Sequence, residues 1–310
     1  MMEPTTPKVS PFTQAVVAAM QFLYPEELAD PSFDNIGLLL EAPYRPHLNN
    51  SALITVDLTA AVADEAIERK DSIVVAYHPI IFHGIKSLTQ SHARTNTLLR
   101  LAQEGISVYC PHTAVDATPG GLNDWLADIL CKGIASSRKY ITPIPSPPLG
   151  YENTGYGRIL TFQTPRLLSS LITLITCSLG IPSVSVATPQ SIPYRERAGI
   201  LITTVGICAG SGGTMLNDLD VDLLFTGELS HHETLSAIEN GRCVITTFHS
   251  NSERAFFRDR MQQLLSTQVW GEIWSQSEPD KEFQIAISEV DADPFEIVVP
   301  EPSMAGLSVS

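Results

Sequence analysis

Between residues 52 and 110 short apolar runs alternate with amphipathic helical patterns, and this alternation restricts the chain to very few folds. Runs at 52–56, 72–77 and 106–110, rich in Val, Ile and aromatic residues, read as strands, and helical patterns at 60–69 and 93–103 separate them. A β-α-β-α-β order requires right-handed crossovers and gives a largely parallel sheet covered by helices, an α/β fold. An apolar helical stripe at 11–23 precedes this unit, ended by the segment 25–33 with its two prolines. A helix at 121–130 closes it.

Residues 134–157 hold Pro143, Pro145, Pro147, Pro148, Gly150, Gly155 and Gly157, a composition that breaks helix and strand alike and marks a linker. A second α/β set follows. Strands are expected at 158–162, near 184, and at 200–205, 221–225 and 242–248, with helices at 165–178 and 231–240, and the run 205–216 reads as a strand, a glycine loop and a helix start. A helix at 252–265 and strands at 282–288 and 295–299 finish the ordered chain. The resulting division is a first α/β domain at 1–133, completed by 254–300, a second at 158–253, and a flexible tail at 301–310.

The 34 acidic residues exceed the 19 basic ones by 15, with no basic patch to compensate, so direct nucleic-acid binding is disfavoured. Cys110, Cys131, Cys177, Cys208 and Cys243 form no CxxC pair and read as reduced, buried thiols of an intracellular protein. No apolar run approaches bilayer length, and the N-terminus has the marks of neither a signal nor a transit peptide. A cytoplasmic protein is expected, with a mitochondrial or nuclear pool left open.

Five residues of metal-ligating type, His78, His112, Asp116, His249 and Glu253, follow three of the strand-like runs. In open α/β sheets, ligands bind beyond the carboxyl ends of the strands. His with carboxylate and without clustered Cys suits Zn, Fe, Mn or Ni rather than a Cys-rich structural zinc. Each residue also has a plainer reading. His78 and His112 could be hydrogen-bonded turn residues, and Asp116 an Asx-turn or helix cap. His249 and Glu253 share a face at i, i+4, but Ser250 and Glu253 also fit a capping box. The glycine loop lacks GK[ST], which excludes a P-loop and favours a tight backbone turn beside the site.

Several motifs in one order carry a resemblance: SFDNIGLLL (32–40), ITVDLT (54–59), YHPIIFHG (77–84), PHTAVDATPGGLNDWLA (111–127), GYGRI (155–159), CAGSGGT (208–214) and TGELSHHE through HSNSER (226–254). The chain resembles the NIF-three-like family, named for an interacting factor of a yeast transcriptional adaptor and also called GTP cyclohydrolase I type 2 homologues. The resemblance implies two intertwined α/β domains, toroidal homo-oligomers (hexamers in bacterial members) and a dinuclear metal centre in the inter-domain cleft. It assigns His78, Asp116, His249 and Glu253 as ligands, with His112 a ligand or a hydrogen-bonded neighbour. Tyr77 stands where bacterial members carry a second His, which removes a ligand from the second position and leaves one or two ions per subunit. His231 and His232 are expected behind the ligands, and Asp34 and Asn35 at a turn near the cleft. Two functions follow: a metal-dependent hydrolase, or a metal-handling or adaptor protein that contacts transcription factors.

Overall fold

In the computed structural model, residues 9–133, 136–274 and 282–298 are described. Helix α1 (Pro11–Leu23) starts with Ser10 accepting from the Thr13 N–H and Pro11 in the first turn. Strands β1 (Gly37–Leu40) and β2 (Ser51–Thr55), helix α2 (Ala60–Arg69), strand β3 (Ile73–Ala76), helix α3 (Ala93–Glu104) and strand β4 (Ser107–Cys110) follow. Helices α4 (His112–Ala117) and α5 (Leu122–Cys131) come next, then strands β5 (Ser136–Pro143) and β6 (Gly155–Leu167) and helix α6 (Leu168–Leu179). The order continues through β7 (Ser185–Ala187), β8 (Leu201–Ser211), α7 (Gly213–Leu216), β9 (Leu223–Glu228), α8 (His231–Glu239) and β10 (Cys243–Thr246). A helix over residues 254–274 alternates α-helical turns, α9 (Arg254–Phe256) and α10 (Gln262–Gln268), with π turns at Phe257–Met261 and Val269–Trp274. Strand β11 (Gln284–Ile287) ends the regular structure.

The strands form two sheets, ordered β1-β4-β3-β2-β11 and β5-β6-β8-β9-β10-β7. In the first, β4, β3, β2 and β11 are parallel and β1 is an antiparallel edge. The second is more mixed than the alternation suggests: β8, β9 and β10 are parallel, while β5, β6 and β7 join antiparallel.

Side chains one residue apart enter different cores, as the period of 2 requires. Ala52, Ile54, Ile73 and Val75 face a core shared with Leu223, Phe225 and Ile245 of the second sheet and with α1, α5, α6 and the 254–274 helix. Their neighbours Leu53, Val74 and Ala76 face α2 and α3 instead. Leu224, Val244 and Cys208 pack on the outer face of the second sheet with Leu216 and Ala237. With both faces covered, the central strands read as continuous apolar runs.

Several expectations need correction. Ser136–Pro143, inside the stretch read as a linker, is strand β5, paired along β6. The strand expected at 200–205 runs further, as β8 to Ser211, before the short helix α7. Residues 295–298 form no strand. Cys177 is exposed, whereas the other cysteines are buried, and all five are free thiols. The expected tail at 301–310 lies outside the described residues. No helix among the described residues is long and apolar enough to cross a membrane.

Candidate metal centre

The carboxyl ends of β3 and β4 from one sheet and of β8 and β10 from the other open on a cleft of about 760 Å³. His78 lies two residues beyond β3, and its main-chain N–H donates to Val56. His249 and Glu253 bracket a single 3-10 turn, Ser250–Ser252, after β10. That turn brings the Nε2 atoms of His78 and His249 and the carboxylate of Glu253 to within 4.8 Å of one another. Glu253 reaches both imidazoles, 3.5 Å from His78 Nε2 and 3.4 Å from His249 Nε2.

The capping-box alternative does not hold. The Ser250 hydroxyl donates to Asp293 at 2.7 Å, and Glu253 points into the cleft, where it is 2% exposed. Its Oε2 is buried without a hydrogen-bond partner. A buried carboxylate oxygen without a donor is costly, and a cation between the two Nε2 atoms would satisfy it.

Each imidazole of the cleft is held from behind by a carboxylate. His78 Nδ1 lies 2.9 Å from Asp57, His249 Nδ1 2.9 Å from Glu228, and His112 Nδ1 2.7 Å from Asp34. An ionised carboxylate only accepts, so Nδ1 carries the proton and each ring turns its Nε2 away from its brace. This carboxylate–imidazole arrangement fixes tautomer and orientation in metal sites. Burial raises the carboxyls of Asp57 and Asp34, but their imidazole partners outweigh it and hold both below the ordinary carboxylate range. Burial also disfavours charge on His78, yet the neighbouring carboxylates of Asp57 and Glu253 prevail and push its pKa up to about 10. The donor set thus presents two imidazole nitrogens and a buried carboxylate, which suits a divalent cation.

His112 and Asp116 lie beside this triad. The His112 ring stands 5.6 Å from that of His78, centroid to centroid, on a backbone with φ +24°. The buried Tyr77 hydroxyl donates to Asp116 Oδ1 at 2.8 Å. Burial pushes the Asp116 carboxyl up to about 6, against the opposing pull of His112 and Tyr77. His231 and His232 meet edge to face at the exposed start of α8, behind a complete capping box of Ser230 and Glu233, and neither lines the cleft. Asp34 does more than fix a turn: it braces His112 and also accepts from the Thr113 N–H at 3.1 Å.

The glycine segment abuts the triad. Gly210 has φ +61°, and a Cβ there would lie 2.7 Å from Glu253 Oε1 and 2.9 Å from His249 Nε2. Sequence reasoning missed Asp57 and Glu228 as braces and Asn123 as a tie, although the first two also stand at strand ends. Asn123 links α5 to β8 by accepting from the Ala209 N–H at 2.9 Å.

Comparison with known proteins gives the family. The family model described as Duf34/NIF3 (NGG1p interacting factor 3) matches residues 13–282. The NIF3 homolog of Schizosaccharomyces pombe is 42% identical over 280 residues, covering 89% of this chain and 94% of that protein. The NGG1-interacting factor 3 of Saccharomyces cerevisiae is 36% identical, covering 91% of this chain and 96% of its own. Among solved structures, a Bacillus cereus protein related to NIF3 superposes with a TM-score of 0.73 at 19% identity, covering 92% of this chain and 98% of that one, a likeness of fold. The chain belongs to the Duf34/NIF3 family.

Proposed function

We propose that the protein binds divalent metal in the cleft and acts there as a metal-dependent hydrolase. The observation that carries this reading is the convergence of His78, His249 and Glu253, each imidazole braced at Nδ1 and Glu253 left with a buried, unpartnered oxygen. A bound divalent cation would supply Lewis acidity toward water and toward an anionic substrate oxygen. The chain's own residues do the rest. His78 and His249 offer Nε2, Glu253 spans both, and Asp57 and Glu228 keep the rings from turning. His112 and Asp116 provide for a second ion. The Tyr77 hydroxyl already engages one oxygen of Asp116, so that second position is the weaker one. The test is a screen of metal-loaded protein against phosphoesters and nucleotides. Turnover that disappears in His249→Ala is expected; turnover unchanged in that variant would overturn the assignment.

One observation favours a second reading, in which the protein is an adaptor. Its Saccharomyces cerevisiae relative is named as an interacting factor, and an excess of 15 negative charges suits a protein partner better than nucleic acid. A partner retained by His249→Ala would place that role outside the cleft.

A further inference from the structure

Residues 288–298 follow β11 without regular secondary structure, yet they are fastened at several points. The Ser288 N–H donates to Ile54 at 2.9 Å, which extends the β11–β2 pairing by one residue. Beyond it, Asp291 Oδ2 accepts from the Val56 N–H at 2.7 Å and pairs with the Arg254 guanidinium. Asp293 Oδ2 accepts from the Ser250 hydroxyl at 2.7 Å, while its Oδ1 accepts from the Phe295 N–H at 2.9 Å. The Phe295 ring stacks on Phe248, centroids 5.8 Å apart and planes 27° from parallel.

The attachments made by Asp291, Asp293 and the Phe295 ring land beside the triad or its braces. Val56 precedes Asp57, which holds His78. Ser250 follows His249, Arg254 follows Glu253, and Phe248 precedes His249. The turn is also tied internally and to β8, where the Ser252 hydroxyl donates to the His249 carbonyl at 2.7 Å and accepts from the Gly210 N–H at 2.8 Å, but its outer side is held by these attachments. His249 and Glu253 are joined by one 3-10 turn with no side-chain cap, and Phe248 sits at φ +67°, a region that a bulky residue enters only when its surroundings impose it. Asp291 is deeply placed, its side chain 5% exposed, so its pairing with Arg254 is sheltered from solvent.

We propose that residues 291–295 form a clasp that sets the position of the His249–Glu253 turn, with Asp291 and Asp293 as positioning residues for the metal centre. This rests on the metal-binding reading above. The clasp acts through Ser250, Arg254 and Phe248 and touches no metal itself. Loosening it lets the turn relax from its φ +67° entry and separates the two Nε2 atoms from Glu253.

Cobalt(II) serves as the probe, with its visible absorption reporting ligand geometry and a chelator competition reporting affinity, on the full chain. Asp293→Ala is expected to weaken Co(II) binding roughly tenfold and alter the absorption band, the size seen for groups that orient metal ligands. Asp293→Asn, which keeps an acceptor for Ser250, should restore both. Ser250→Ala removes the same bond from the other side and should reproduce the loss; it decides the matter should Asp293→Ala fail to fold. Affinity and spectrum unchanged in a folded Asp293→Ala or Ser250→Ala would overturn the clasp while leaving the metal site standing. A wild-type chain that takes up no Co(II) would overturn the metal reading, and the clasp's role with it.

Discussion

Gly210 shows how little room the centre leaves. A methyl group there would press on Glu253 and His249 at under 3 Å, on a backbone at φ +61° that disfavours any L side chain. Gly210→Ala is therefore expected to cost about 1–3 kcal/mol of stability and to weaken metal binding, read from denaturant melts and metal titration of the same preparation. The braces make a milder prediction. Asp57→Ala or Glu228→Ala leaves the ligands in place but frees an Nδ1, so metal affinity should fall by roughly tenfold or more with stoichiometry unchanged. Wild-type affinity in both variants would refute the bracing role. The triad of His78, His249 and Glu253 was legible in the sequence because imidazoles and carboxylates stood just past recognisable strands. Asp57 and Glu228 were passed over because a single acid ending a strand is indistinguishable from an ordinary solvated charge. The choice between metal pair and capping box at Ser250 and Glu253 depended on where Asp293, some forty residues away, placed its carboxylate. No local pattern carries that.

At the scale of elements, α5 is tied to β6 through Arg158, which is 1% exposed. Its guanidinium meets both oxygens of Asp124 at 2.9 Å and donates to the carbonyls of Gly155 and Gly157 at 2.8 Å. Removing the carboxylate strands a buried cation, so Asp124→Ala should destabilise by about 3–5 kcal/mol in chemical denaturation. Burial raises the Asp124 carboxyl, but Arg158 outweighs it and holds it below its ordinary value of 3.8. A depressed carboxyl stabilises the fold above that ordinary value and loses the contribution as pH falls through its lowered pKa. Asp124→Asn should accordingly flatten the acid limb of the stability profile; an acid limb identical to wild type would contradict the linkage. The longer helices and the central strands were readable because their periodicities are strong, whereas the short α4, in a segment flanked by prolines and glycines, was not. The edges were not. Gly37–Leu40 shows no alternation, and Ser136–Pro143 runs into a cluster of prolines, so both strands are defined by the partners they pair with rather than by their own residues.

Across the whole molecule, the centre joins the two sheets: His78 comes from the carboxyl end of one, His249 and Glu253 from that of the other. A cation held by both ties them together, and metal that binds only the folded chain should stabilise it by about 2.7 kcal/mol when free metal is ~100 times Kd. Scanning calorimetry with and without chelator measures that shift. In the metal-free site the pKa of about 10 at His78 means that a proton is displaced on metal uptake near neutrality, so affinity should fall as pH falls. Calorimetric titration in buffers of different ionisation enthalpy reads the released proton directly. The most direct test of the centre is elemental analysis of the native protein beside His78→Ala and His249→Ala. The structure predicts at least one divalent transition metal per wild-type chain and its loss from both folded variants. A wild-type chain without metal, or variants that retain it in full, would contradict the account.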